Sequence, residues 1–171
     1  MWNFKGQLRP DFALPVTSEQ ESVWDYPRPP VCVADSRTVT IKLRDTVIAS
    51  TTSAIRVLET ASPPTIYIPP NDVQFDCLQP ALGSSFCEWK GSATYWSVHI
   101  AGRTVPQAGW SYPEPSNAFQ SIASYLSFYP AKVVCLIDGE IVRPQPGGFY
   151  GGWVTDEIIG PYKGEPGTSG W

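Results

Sequence analysis

Apolar and polar residues alternate over several short stretches of this chain, and a two-residue period predicts β-strands. Over residues 38–43, Val39, Ile41 and Leu43 fall on one face, and threonine and lysine fall on the other. Residues 95–100 show the same period. Further strands are predicted over residues 46–50, 54–59, 65–68, 103–105, 133–137 and 140–142, the last two joined by an Asp-Gly turn.

One segment has the spacing of a helix. Over residues 116–129, apolar side chains recur every three or four positions, at Phe119, Ile122, Leu126 and Tyr129. Ser116 or Asn117 can cap the first turn, and Pro130 would end the helix. The pattern therefore predicts a mainly β domain with a single α-helix at residues 116–129.

Both ends of the chain differ from its middle. Residues 1–30 lack a sustained period, and the proline-rich run at 26–30 favours an extended backbone, so we expect an extended arm. The compact domain is expected over residues 31–143. Residues 144–171 are rich in glycine, proline and aromatic side chains. Because polar linkers carry few aromatic residues, we expect this tail to pack on the domain or on a partner.

Composition narrows the class of protein. The 171 residues include 18 proline and 14 glycine, and only 16% are charged, which favours many turns and short strands. The net charge of −4 argues against a nucleic-acid groove, which needs a concentrated basic surface. Apolar runs such as residues 133–137 are too short to span a bilayer, and the first residues lack the pattern of a secretory signal. We expect a cytoplasmic protein that binds neither nucleic acid nor membrane.

The cysteines show no metal-binding pattern. Cys32, Cys77, Cys87 and Cys135 form no CxxC pair, and His99 is the only histidine. Structural zinc usually requires paired cysteine or histidine ligands at short spacing. Without a secretory signal, the default state of such cysteines is the free thiol. We therefore expect reduced thiols, no metal and no cofactor.

The densest group of chemically useful residues lies between positions 86 and 115. Three of the seven tryptophans, two tyrosines, a cysteine and a lysine fall within these thirty residues. Aromatic side chains that have polar tips often line ligand pockets. Core packing is the alternative, and it is favoured for Trp96 because Val98 and Ile100 share its face. The candidate ligand-binding residues are Glu59, Tyr67, Lys90, Tyr95, Trp110 and Tyr112.

Glu59 and Cys87 raise separate questions of chemistry. Glu59 shares a face with Val57 and points inward, so its carboxylate needs a partner, for which Lys90 is the preferred choice. Cys87 is a weak catalytic candidate, since a nearby Lys90 ammonium would lower the pKa of its thiol. The alternative is that Cys87 packs as a small apolar residue. His99 is twelve residues away from Cys87, so no general base can be identified from spacing.

Several short motifs, taken in order, resemble a known family. They are Ala34–Ser36, Arg56–Thr60, Pro63–Pro69, Cys87–Gly91, Tyr95–Val98 and Trp110–Pro115. The chain resembles domain of unknown function 427, also labelled a nucleotidyltransferase-like domain, over roughly residues 31–143. The resemblance implies a barrel- or tent-like domain of short antiparallel strands with one helix. Glu88 stands where the family usually has proline, and the tail resembles a longer, cyanobacterial-type subset that is extended at both ends.

The nucleotidyltransferase label finds no support in these residues. That chemistry usually places two metal-binding carboxylates, one residue apart, shortly after a Gly-Ser turn. Residues 83–85 supply a Gly-Ser turn, but no Asp-x-Asp follows, and Asp72 and Asp76 precede the turn at the wrong spacing. Nucleotidyl transfer is therefore not expected, and the resemblance assigns no other activity.

Two classes of function remain open. The first is a domain that binds a small polar or planar molecule, with or without catalysis, in an aromatic-lined pocket around residues 87–112. The second is an interaction or scaffold domain whose aromatic arms dock on a protein partner or on a second copy of the chain. Trp2, Trp24, Trp153 and Trp171, outside the central cluster, favour this second class.

Overall fold

The computed structural model describes residues 2–171 and is built from short strands. The strands are β1 (Glu21–Ser22), β2 (Val31–Asp35), β3 (Val39–Leu43), β4 (Thr46–Thr51), β5 (Ala54–Glu59), β6 (Ser62–Tyr67), β7 (Leu78–Cys87), β8 (Gly91–Ile100), β9 (Arg103–Ser111), β10 (Leu126–Phe128), β11 (Val134–Ile137), β12 (Glu140–Ile141), β13 (Arg143–Pro144), β14 (Trp153–Val154) and β15 (Ile158–Ile159). The prediction of a mainly β protein is confirmed.

Three sheets form the body of the domain, and all three are open. Strands β7 to β10 form an antiparallel sheet in the order β10-β9-β8-β7. A second antiparallel sheet has the order β12-β11-β3-β4, and a third has the order β2-β5-β6. Residues 2–171 thus contain several antiparallel sheets but no closed barrel. Ile68, just after β6, exchanges two backbone hydrogen bonds with Leu126 of β10, which places the third sheet beside the first.

The largest apolar core lies among these sheets. Its completely buried side chains include Val39, Ile41, Ile66, Val98 and Phe128. Val39 and Ile41 belong to the alternating run that predicted a strand, and their partners in the sheet lie on β4 and β11. The two-residue period therefore marks the face of β3 that the core covers.

The α-helix expected at residues 116–129 is absent from the structure. In its place, a 3-10 helix at Asn117–Ile122 is followed by strand β10, whose Leu126 pairs with Ser111 of β9. Apolar residues at these positions satisfy either arrangement, and the open edge of β9 provides backbone hydrogen bonds that favour the strand. The other 3-10 helices are Val23–Asp25, Pro70–Asp72 and Phe75–Cys77. None of the helices within residues 2–171 has the length and hydrophobicity needed to cross a membrane.

The two ends of the chain pack on each other and on the domain. Strand β15 of the tail pairs in parallel with β1 of the arm. Trp171 stacks on Phe12 with ring centroids 5.0 Å apart, and both rings contact Trp24. Trp153 of β14 is 1% exposed and lies in the main core. The arm and the tail are thus part of the folded unit of this chain.

A chain of ion pairs also joins the ends to the domain. Arg56 on β5 donates hydrogen bonds of 2.9 Å to both carboxylate oxygens of Glu21 in the arm. Arg37 pairs with the buried Asp35 at 2.6 Å and also with Glu157 in the tail. Burial raises the pKa of the Glu21 and Asp35 carboxyls, but the hydrogen bonds from the two arginines outweigh burial and leave both pKa values lowered.

Candidate functional site

A cavity of about 410 Å³ lies where the β2-β5-β6 sheet meets the β7–β10 sheet. That volume is within the usual range for pockets that hold small molecules. All six residues proposed from the sequence line it: Glu59, Tyr67, Lys90, Tyr95, Trp110 and Tyr112. Cys87 also lines the cavity, whereas Trp96 packs against the main core. Their role in binding a ligand stays a prediction.

The aromatic wall owes its geometry to strand register and hydrogen bonds. Tyr95 on β8 lies directly opposite Trp110 on β9. The Trp110 indole donates a 3.2 Å hydrogen bond to the buried Tyr67 hydroxyl, and its ring centroid lies 4.5 Å from that of Tyr129. The Tyr95 hydroxyl donates to Ser85 Oγ at 2.8 Å. Partners on four strands and a loop therefore fix the orientation of these rings.

Lys90 reaches the cavity from the tight turn between β7 and β8. Gly91 closes this turn with φ of 101°, a backbone conformation that favours glycine. A backbone hydrogen bond from outside the turn also stabilises it, because the N–H of Ser116 donates to the carbonyl of Lys90 at 3.1 Å. Lys90 is only 8% exposed. Its Nζ lies 5.8 Å from the Tyr112 ring centroid and 5.5 Å from that of Phe119, so the ammonium faces aromatic rings.

The electrostatics around Lys90 keep it charged. Burial lowers the pKa of Lys90, but the attraction of the Tyr67, Cys87 and Glu59 side chains outweighs burial, and the pKa is raised. Burial raises the pKa of Tyr67 and of Tyr112. At neutral pH this part of the cavity therefore holds the Lys90 ammonium and the protonated phenols of Tyr67 and Tyr112. All three groups can donate hydrogen bonds.

The prediction that Glu59 pairs with Lys90 was wrong. Glu59 pairs with Arg28, whose Nη2 lies 3.3 Å from Glu59 Oε1, and not with Lys90. The same guanidinium donates to the carbonyls of Phe4 and Thr60 at 2.9 and 2.8 Å. A guanidinium can serve several acceptors at once, so it matches this crowded position better than an ammonium does. Within residues 2–171, Lys90 has no carboxylate oxygen within 4.0 Å.

The sequence interpretation missed the residues that complete the cavity from the two ends of the chain. Trp2 in the arm donates from its indole to Glu88 Oε1 at 3.0 Å. Lys163 in the tail places Nζ 3.6 Å from the Trp2 ring centroid and 5.5 Å from that of Tyr150. Burial and then the charge of Arg28 lower the pKa of Lys163. The only signal in the sequence was the high aromatic content of the tail.

Further lining residues were also missed. They are Val57, Ser62, Pro63, Thr65, Ser85, Phe86, Glu88, Trp89, Tyr129, Gln145, Phe149, Tyr150 and Gly151.

The structure does not place a histidine beside the candidate nucleophile Cys87. His99 hydrogen-bonds Thr104 at 2.8 Å through Nδ1 and is not among the lining residues. Cys87 itself is half-buried at the end of β7, and all four cysteines are free thiols. The Cys87 thiol therefore faces the cavity with Lys90 as its nearest candidate partner in the turn, and a catalytic role for it stays a prediction.

Comparison with protein families identifies the central part of the chain. A family model described as a domain of unknown function (DUF427) matches residues 31–139. The chain belongs to the DUF427 family. The DUF427 region supplies the cavity walls from Val57 to Tyr129, while Trp2, Tyr150 and Lys163 lie outside the match. Comparison with curated proteins found no match.

Proposed function

We propose that this DUF427 protein binds a small planar molecule in the cavity between the two sheets. The observation that carries the proposal is a cavity of about 410 Å³ in which a buried lysine stands among oriented aromatic rings. A buried ammonium is costly unless it is compensated, and a bound molecule with polar groups would add to that compensation. Aromatic walls with a few convergent polar groups are the usual construction of a small-molecule site.

The dimensions support a ligand with one or two fused rings. Pockets of this size bury most of the surface of a small molecule, and aromatic rings prefer stacked or edge-to-face neighbours. Trp110 and Tyr129 are already packed together at 4.5 Å, and Tyr150 and Phe149 stand at the rim, 38% and 69% exposed. A flat ligand would contact the fixed rings inside and be covered by the exposed rings at the entrance.

The alternative function, a scaffold that docks through its arms, has less support from the structure. Trp24 and Trp153 are each 1% exposed, and Trp171 packs on Phe12 within the same chain. Trp2 already donates a hydrogen bond to Glu88, and its ring contacts the Lys163 ammonium. The aromatic side chains that suggested a docking surface therefore have partners within the chain. Homodimer formation through the arms would have to use other groups.

The test is a thermal-shift screen of small planar compounds on the full chain. A ligand at one hundred times its dissociation constant stabilises the folded state by about 2.7 kcal/mol, which should raise Tm by roughly 5–11 °C for a domain of this size. Tyr150→Ala should reduce the shift, because Tyr150 lines the cavity and is exposed enough to be removed without unfolding the protein.

The matched control is Phe75→Ala, an aromatic residue of similar exposure, 41%, that does not line the cavity. We expect this variant to show the same ligand-induced shift as the unaltered chain. A broad screen that yields no stabilising compound would contradict the proposal. Equal loss of the shift in both variants would place the binding site elsewhere.

A further inference from the structure

One charged group that lines the cavity, the Lys90 ammonium, has no carboxylate beside it, and this indicates the class of ligand. Of the two acidic residues that line it, Glu59 is paired with Arg28, and Glu88 accepts a hydrogen bond from the Trp2 indole. Of the two lysines that line it, Lys163 donates a 3.3 Å hydrogen bond to the main-chain oxygen of Trp171. Lys90 has no carboxylate partner within 4.0 Å in the described part of the chain.

From this arrangement we infer that the ligand carries a carboxylate on an aromatic ring system, and that the carboxylate is bound by Lys90. The inference rests on the proposed function, since it names the chemistry of the molecule that the same cavity would hold. The acid would bind as its anion, with no covalent step. Lys90 then acts as a binding residue.

The position of Lys90 supports an anion as its missing partner. Its ammonium is compensated by the Cys87 thiol, by the more distant Glu59 and by ring faces more than 5 Å away, and contacts of this kind offset only part of the cost of removing a charge from water. An anion within hydrogen-bond distance would complete the compensation. Tyr67 and Tyr112 line the same cavity as Lys90, with ring centroids 6.4 Å apart, and both hydroxyls keep their protons because burial raises their pKa.

A carboxylate suits this set of donors better than a phosphate does. Phosphate sites in proteins commonly combine backbone N–H groups, arginine forks or a metal ion with any lysine. The other donors of this part of the cavity are two phenols, Tyr67 on β6 and Tyr112 just after β9, and the guanidinium of Arg28 is already bound to Glu59 and two carbonyls. One ammonium and two hydroxyls match a group that has two oxygen atoms and a single charge.

A cationic ligand fits the cavity poorly, although aromatic cages can bind ammonium groups. The Glu59 carboxylate that would attract it is already neutralised by Arg28. Arg28 and Lys163 both lie against the Trp2 ring, 4.3 and 3.6 Å from its centroid, so two cations already stand at that end of the cavity. A cationic ligand there would add to the repulsion.

Three probes of the same shape and different charge test the inference on the full chain. They are 2-naphthoate, the neutral 2-naphthamide and the cationic 2-naphthylmethylammonium, with dissociation constants measured by calorimetry. We expect 2-naphthoate to bind about tenfold or more tightly than the amide, because a charge-assisted hydrogen bond in a desolvated site is worth at least that factor. The ammonium probe should bind least tightly.

Variants then locate the carboxylate. Lys90→Met should reduce the preference for naphthoate over the amide to about threefold or less, because it weakens naphthoate binding more than amide binding. Lys42→Met is the matched control, since Lys42 lies on β3 and does not line the cavity, and it should keep the full preference. Raising the salt concentration should weaken naphthoate binding in the unaltered chain more than amide binding, which gives a second reading if Lys90→Met fails to fold.

The outcomes separate the inference from the proposed function. Equal or tighter binding of the amide or the ammonium probe would overturn the inference and leave the proposed function standing. A naphthoate preference that survives in folded Lys90→Met would also overturn it. If none of the probes binds while other planar compounds stabilise the protein, the inference is wrong. If nothing planar binds at all, both fail.

Discussion

Replacing Trp153 with alanine is expected to destabilise the fold strongly, although Trp153 lies in the tail outside the DUF427 match. Its side chain is 1% exposed and packs within the main core. Its indole N–H donates a 3.0 Å hydrogen bond to the carbonyl of Phe128 on β10. The tail therefore supplies one of the largest side chains of the core, together with a hydrogen bond to a strand of the first sheet.

The magnitude follows from burial and from the cavity left behind. A buried tryptophan removes roughly 150–250 Å² from water, which at about 25 cal/mol per Å² gives an upper limit of about 4–6 kcal/mol. Truncation of large aromatic residues in cores typically costs about 3–5 kcal/mol. We expect Trp153→Ala to lower the free energy of unfolding by that amount, including about 1 kcal/mol for the lost hydrogen bond.

Urea denaturation of the full chain gives the measurement, with the m-value checked for two-state behaviour. Trp153→Phe keeps most of the packing but loses the indole N–H, and should cost about 1–2 kcal/mol. Phe149→Ala, in the same tail but 69% exposed, should change stability by no more than about 0.5 kcal/mol. A Trp153→Ala loss below about 1 kcal/mol would refute the view that the tail is part of the core.

Two further predictions concern the site and the ion pairs. A Cβ on Gly151 would lie 2.1 Å from the Trp110 ring, so Gly151→Ala should cost about 1–3 kcal/mol in thermal or urea unfolding, and Trp110→Phe should largely remove that cost. Equal costs in both backgrounds would contradict the contact. Burial raises the pKa of Asp35, but Arg37 holds it below the usual 3.8. The stabilisation that the Asp35–Arg37 pair contributes is therefore present above a pH of about 4 and is lost as the pH falls through the lowered pKa. In urea titrations at a series of pH values, Asp35→Asn should reduce the fall in the free energy of unfolding at acid pH. The same fall in the variant and in the unaltered chain would contradict this role of Asp35.

The sequence by itself determined the strands that follow from local periodicity. The alternation at residues 38–43 predicted a strand whose Val39 and Ile41 are fully buried, because side chains on a strand point to opposite faces whatever the rest of the chain does. Periodicity was ambiguous at residues 116–129. Apolar side chains at Phe119, Ile122 and Leu126 fit a helix, and only the free edge of β9 made Leu126–Phe128 a strand.

Part of the candidate site could likewise be predicted from the sequence, and part could not. Lys90, Tyr95 and Trp110 were found because they cluster in sequence, and the β7–β8–β9 meander keeps residues close that are close along the chain. Trp2 and Lys163 reach the cavity from opposite ends, and no local pattern links them.

The partner of Glu59 was also decided by tertiary structure, since Arg28 comes from the arm and replaces the expected Lys90. Periodicity and turn chemistry are set by neighbouring residues and can be read at each position. Contacts between distant segments depend on which single arrangement buries the apolar surface and pairs the buried charges together, and only the folded chain determines that.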